Sequence, residues 1–148
     1  MEPTIITAKT FNQARTLIKK AKTPIIFTSD DDNLNRQILE KEKINTLLLN
    51  QKNRKDFSKQ RNSGLNQVLV KIAKKNKIAI GINLDELIES QGKLKSKIIS
   101  RIKQNIKLCN KNKVKMQFIT IKEKNKRNHQ NLKTLGLSLG MPTNILVK

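Results

Sequence analysis

Residues 60–88, QRNSGLNQVLVKIAKKNKIAIGINLDELI, decide the fold. Leu65, Val68, Leu69, Ile72 and Ala73 recur at helical spacing, and Ser63 stands where a capping hydroxyl would start that helix. The run KIAIGIN at 77–83 follows, apolar and of strand length, and it reads as a strand buried on both faces. Asp85 then opens another short helix. A basic helix feeding a doubly buried strand is the repeating half of a parallel α/β protein.

Upstream the same alternation recurs. EPTIITA at 2–8 reads as a strand, and Thr10 caps a helix with Phe11, Ala14, Leu17 and Ile18 on one side. TPIIFTS at 23–29 is a second strand. DDDNLNRQILEKEK at 30–43 is a helix with its acids at the N-terminus, where the macrodipole favours them. INTLLLN at 44–50 is a third strand, and QKNRKDFSKQR at 51–61 lacks periodicity and reads as a basic loop.

Downstream, residues 93–112 form a long helix with Leu94, Ile98, Ile102, Ile106 and Cys109 on one side. Lys93, Lys97, Arg101, Lys103, Lys107 and Lys111 are expected mostly on the other. VKMQFITI at 114–121 is a strand with period-two alternation, KEKNKRNHQ at 122–130 is a second basic loop, and NLKTLGLSLGM at 131–141 supplies a last helix. The expectation is one α/β domain over 1–148 with five or six parallel strands.

Charge narrows the function. Against 32 Lys and Arg stand 11 Asp and Glu, a formal net of +21. Residues 1–50 carry 8 basic and 6 acidic groups, whereas residues 51–148 carry 24 and 5, so the excess belongs to the C-terminal two-thirds. A lysine- and asparagine-rich codon bias would raise Glu as readily as Lys, so it does not account for the missing acids. Such a chain seeks polyanions.

Chemistry-bearing residues are few. The single Cys109 excludes an internal disulfide and reads as a buried apolar residue of a reducing compartment. His129, also single, lies in a lysine-rich loop without partners. No glycine-rich phosphate loop, nucleophile elbow or HExxH helix occurs, so no catalytic residue and no protein-bound metal are expected. Four Phe with no Tyr or Trp give no stacking platform of the kind single-strand binders use, on which successive bases lie. No leader or apolar run of membrane-spanning length is seen, and a cytoplasmic protein without membrane contact is expected.

The best anion site is the expected helix start at Ser63 and Gly64, where free N–H groups point outward beside Arg61. With it go the basic loop and the basic helix face. The expected RNA contacts are Arg54, Lys55, Lys59, Arg61, Ser63, Gly64, Lys97, Arg101 and Lys103.

The series Arg61, Gly64, Leu65, Asn66, then Asn83 and Leu84, then Arg101 and Asn105, then Leu135, Gly136, Leu139, Gly140 and Met141 resembles the motifs of the archaeal and eukaryotic ribonuclease P protein component 3 family. The match is clear over 60–141. Gln67 stands where that family usually has His, and strand–helix units that open the family have no equivalent before Met1.

The resemblance implies a TIM-like barrel. Since such barrels take roughly 250 residues, it would here be incomplete, an open curved parallel sheet flanked by helices. It further implies a non-catalytic subunit of an endoribonuclease, a ribonucleoprotein that removes the 5′ leader from precursor tRNA. In that setting the partners are the ribonuclease P RNA, protein component 2 and, through the holoenzyme, precursor tRNA. The RNA with its Mg²⁺ does the hydrolysis, and no cofactor is bound by the protein.

Two alternatives stand beside it. One is another basic, ribosome-associated RNA binder. The other is a metal-dependent phosphoesterase of the barrelled polymerase-and-histidinol-phosphatase type, suggested by Asp30, Asp31 and Asp32 near a strand end.

Overall fold

In the computed structural model, which describes residues 2–147, five strands lie side by side in chain order. They are β1 (Thr4–Thr7), β2 (Ile25–Thr28), β3 (Thr46–Leu49), β4 (Ala79–Asn83) and β5 (Met116–Ile119). Every neighbouring pair is parallel. The connections are α1 (Phe11–Lys20), α2 (Asp32–Lys41), α3 (Gln67–Lys75), and, between β4 and β5, α4 (Leu84–Glu89) followed by α5 (Gly92–Asn112); α6 (His129–Ser138) follows β5.

Parallel crossovers are right-handed, so an order that never reverses puts every helix on the same face and leaves the sheet to curl. The helix-covered face carries Ile6, Ile25, Phe27, Leu47, Leu49, Ile80, Ile82, Met116 and Phe118, which join the main core with Ala14, Ile38, Leu39, Val70, Ile98, Ile102 and Ile106. The opposite face has no helix, yet Ile26, Leu48 and Ile119 on it are buried in a small core of their own.

Curvature explains this. The Thr46 hydroxyl donates to Gln117 Oε1 at 3.0 Å, reaching from β3 to β5 over the intervening β4. Those strands would lie about 9.5 Å apart in a flat sheet. Only a strongly rolled sheet lets their side chains meet. Gly81 sits at the centre of the roll: a Cβ there would stand 3.1 Å from Ile119 Cγ1 and 3.2 Å from the Leu48 Cα.

The sheet is not closed. At its far edge Val147 N–H donates to Met116 O at 2.8 Å, and Leu146 bridges Met116 in parallel, so a sixth strand position is begun beside β5. The opposite edge, β1, presents a part-exposed Ile5. The expected open, curved sheet of five or six strands is therefore what forms.

Two local expectations are corrected. The helix after the basic loop starts later than Ser63: α3 is capped by Asn66, whose side chain accepts from Leu69 N–H. Ser63 is buried, and its carbonyl is held by Gln51 Nε2 and Asn105 Nδ2, while Gly64 turns left-handed at φ 82°, so the chain stays irregular until Asn66. Val68 consequently faces solvent, and Leu69, Val70 and Ala73 form the buried stripe. The second concerns the extent of β5: the strand is confined to Met116–Ile119 of the expected 114–121, with Phe118 and Ile119 buried on opposite sides of the rolled sheet.

Filling the space over Gly81 tests the curvature. Gly81→Val should cost about 1–3 kcal/mol through overpacking. The check is a lowered urea midpoint with an unchanged slope.

Candidate nucleic-acid interface

The C-terminal ends of the strands carry the loops that could act on a partner, and residues 50–66, between β3 and α3, dominate that end. A loop this long and this basic needs internal anchors, and buried polar side chains supply them. Arg101, 2% exposed on α5, donates from Nε to Asp56 Oδ1 at 2.9 Å, from Nη1 to Gln51 O at 2.7 Å and from Nη2 to Arg54 O at 2.9 Å. One guanidinium thus grips the loop at three points. Four residues on, Asn105 donates to Ser63 O, and Gln104 reaches Arg61 O and Ser63 Oγ.

Arg54 is a second anchor. It forms a two-pronged pair with Asp32 at 2.9 and 3.0 Å and donates to Asn50 O at 2.7 Å. Its guanidinium lies against Gly64, where any Cβ would overlap it. Gly64 is therefore glycine both for its positive φ and for this close approach.

Two of the expected RNA contacts are thereby corrected. Arg101 lies on the inward side of α5 and Arg54 is mostly buried against Asp32, so neither guanidinium is presented to a partner. The buried Ser63 and the Gly64 beneath Arg54 belong to the same scaffold. A helical wheel sets Arg101 at the border of the two faces and cannot tell a solvated cation from a buried one that organises a loop.

The remaining cations reach the surface. Lys55, Lys59, Arg61, Lys97 and Lys103 are exposed. Lys59, Arg61 and Lys103 come together with Lys107 along a groove of about 850 Å³ between the loop, α5 and the end of α6 at Ser138, Leu139 and Gly140. No carboxylate lines this groove among the described residues, although Arg61 Nη1 lies 3.5 Å from Asp56 Oδ2 just behind it, so the unpaired charge is carried by the lysines. Lys55 and Lys97 lie outside it. Lys107 was legible as a member of the basic stripe one turn beyond Lys103.

The carboxylates are occupied elsewhere. Asp31 caps α2 by accepting from the N–H groups of Asn33 and Leu34. Glu86 accepts from the N–H groups of Gln51 and Lys52, and the buried Asp85 accepts from Ile121 and Lys122 N–H and from Asn125 Nδ2. The short α4 thus clamps the loop after β3 with one residue and the loop after β5 with the next. Burial pushes the Asp85 pKa up, but the hydrogen bonds from Asn125, Ile121 and Lys122 outweigh it and hold the carboxyl below its ordinary value.

The loop at 122–130, expected to be irregular, contains a 3-10 turn at Glu123–Asn125 tied down by Asp85, and the exposed His129 begins α6. Among the described residues no three His, Cys, Asp or Glu side chains are placed to hold a metal ion together. Cys109 is fully buried in the α5 interface, which pushes its thiol up to about 12. No helix among the described residues is long and apolar enough to cross a membrane.

Asp56 is the hinge of the electrostatics. The hydrogen bond from Arg101, seconded by Asn62 N–H, holds its carboxyl below the ordinary 3.8. A depressed carboxylate contributes stability that is present above 3.8 and lost as pH falls through the depressed value. Asp56→Ala should cost about 3 kcal/mol at neutral pH, because it strands the buried Arg101 charge. In urea titrations the gap between variant and parent should narrow below pH 3.8.

No family model matches the chain. It is 37% identical to ribonuclease P protein component 3 of Methanosarcina mazei over 87 residues, which is 59% of this chain and 34% of that protein. It is 28% identical to the component 3 protein of Methanococcus maripaludis (strain C6) over 109 residues, 72% of this chain and 44% of that one. The chain thus spans a third to under half the length of these curated relatives. A chain of the cryo-EM structure of archaeal ribonuclease P with mature tRNA superposes with a TM-score of 0.78 at 23% identity, covering 95% of this chain and 60% of that one. The resemblance carried by the series from Arg61 to Met141 holds: the chain is similar in sequence to ribonuclease P protein component 3, and in fold to a chain of an archaeal ribonuclease P.

Proposed function

We propose that this chain is a protein subunit of ribonuclease P, which binds and stabilises the catalytic RNA during removal of the 5′ leader from precursor tRNA. The observation that carries the reading is the groove in which Lys59, Lys103 and Lys107 gather beside the Asp56-paired Arg61, set on a scaffold similar to component 3. Lysines there neutralise phosphates of RNA segments that would otherwise repel one another at close approach. Protein component 2 is the expected protein partner and the cytoplasm the expected site of action. Hydrolysis is left to the RNA and the Mg²⁺ it holds, with no catalytic group and no cofactor supplied by this chain.

The alternative of a metal-dependent phosphoesterase loses its support, since Asp31 is a helix cap and Asp32 the partner of Arg54. A different basic RNA binder would use the same groove, and the activity assay separates the two.

That assay is precursor-tRNA cleavage by the cognate RNA at limiting Mg²⁺ with component 2, with and without this chain. Stimulation is expected, and no stimulation by folded protein would leave an RNA binder of another assembly. Reversing Lys59, Lys103 and Lys107 to Glu should abolish the stimulation without unfolding the chain. The slope of log affinity against log salt should fall by roughly 0.7–0.9 per phosphate contact removed.

A further inference from the structure

Beside the basic groove lies a second cavity, of about 660 Å³, that shares Gln60, Arg61, Gln104 and Lys107 with it. A ligand running along the groove therefore passes the cavity mouth. The floor is apolar, made by Leu65, Leu69 and Leu108. At the rim stands Phe57, at the tip of the loop and 57% exposed. Leu65, the other large apolar side chain of the loop, is buried in the core, whereas the Phe57 ring stays mostly in water.

The rest of the lining is equally specific. Lys111 and Lys107 approach from α5 and Arg61 from the loop, so cations stand on two sides. The Asp32 carboxylate in the wall is paired by Arg54, which offsets its repulsion of an anion. Gln60 and Gln67 line it with side-chain amides that make no hydrogen bond among the described residues, each offering a donor and an acceptor. An apolar slot with an aromatic face, uncommitted amides and surrounding cations has the chemistry of a site for a flat heterocycle carrying a phosphate.

We propose that this cavity takes one unstacked base of a single-stranded RNA segment, with Phe57 as its stacking face and the groove lysines holding the flanking phosphates. The occupant is a nucleotide of an RNA chain because the cations continue along the groove beyond the cavity. A paired base cannot enter, since its edges are used and its faces are covered. The amides offer both donors and acceptors, so the site takes bases without strong choice among them. The inference rests on the reading of the chain as an RNA-binding protein but not on its place in ribonuclease P.

The test uses the full chain with two probes, a short single-stranded ribo-oligonucleotide containing 2-aminopurine and a blunt RNA duplex of the same length. The protein should raise the 2-aminopurine fluorescence, as the base leaves its stacked neighbours in the strand. Phe57→Ala should abolish that rise and weaken single-strand binding roughly 5- to 150-fold, the range set by about 1–3 kcal/mol per stacked base. Duplex affinity and the salt slope should stay unchanged. Phe57→Leu, which keeps the apolar bulk but not the ring, should recover only part of the loss. Equal effects of Phe57→Ala on both probes, or no effect on either, would overturn the proposal. Failure to stimulate precursor-tRNA cleavage would leave these outcomes untouched, so the two readings fail separately.

Discussion

The organisation of the working end of this protein depends on one buried guanidinium. Arg101 is enclosed by α5 and the loop over it, and its charge is met by Asp56 and two backbone carbonyls. A buried ion pair of this kind adds little net stability compared with a well-packed apolar substitute, but breaking it is costly. What it supplies is a fixed conformation for a loop with few apolar residues of its own. Asn105, Gln104 and Arg54 extend the same logic to Ser63, Arg61 and Gly64. The loop that carries Lys59 and Arg61 is then held in place by groups that are buried or mostly buried.

A second consequence concerns the balance of charge. Most carboxylates near the groove are spent on helix caps, loop clamps and arginine partners, while Glu89 and Glu123 pair with Lys122, Lys124 and Lys126 on the loop after β5, so among the described residues the groove lysines are left without acidic partners. The sheet follows a related economy of contact. With all helices on one face and Gly81 at the centre of the other, the strands roll far enough to bury a core from Ile26, Leu48 and Ile119 without a second layer of helices.

Much of this was legible in the sequence. The strands were marked by apolar β-branched runs, and the helices by the cap at Thr10, the acids at 30–32 and apolar stripes. Their strict alternation implied parallel pairing. The curvature was not legible, because β5 reads alike whether its second face meets water or the inside of a rolled sheet. In the site, periodicity and the basic composition of the loop located the exposed cations but misplaced Arg101 and Arg54, since neither reports a partner as distant in sequence as Asp56 or Asp32. Ser63 was misread as a cap for a similar reason: its carbonyl is claimed by Gln51 and Asn105. The motif series from Arg61 to Met141 turns out to mark scaffold as much as surface. Gly64, Asn66, Asn83, Arg101, Asn105 and Met141 set backbone turns, caps and buried anchors.

The division between arginine and lysine has a consequence for how such a sequence can change. Five of the six arginines pair with carboxylates, two of them as rigid forks inside the loop scaffold, where geometry admits no substitute. The groove is mostly lysine, a point charge on a flexible stem whose effect on a phosphate survives displacement by a helical turn. Positive charge on this face can therefore drift from position to position, lost here and regained nearby, while the loop beneath it stays in place. The interface behaves as a density of charge rather than as a set of addresses.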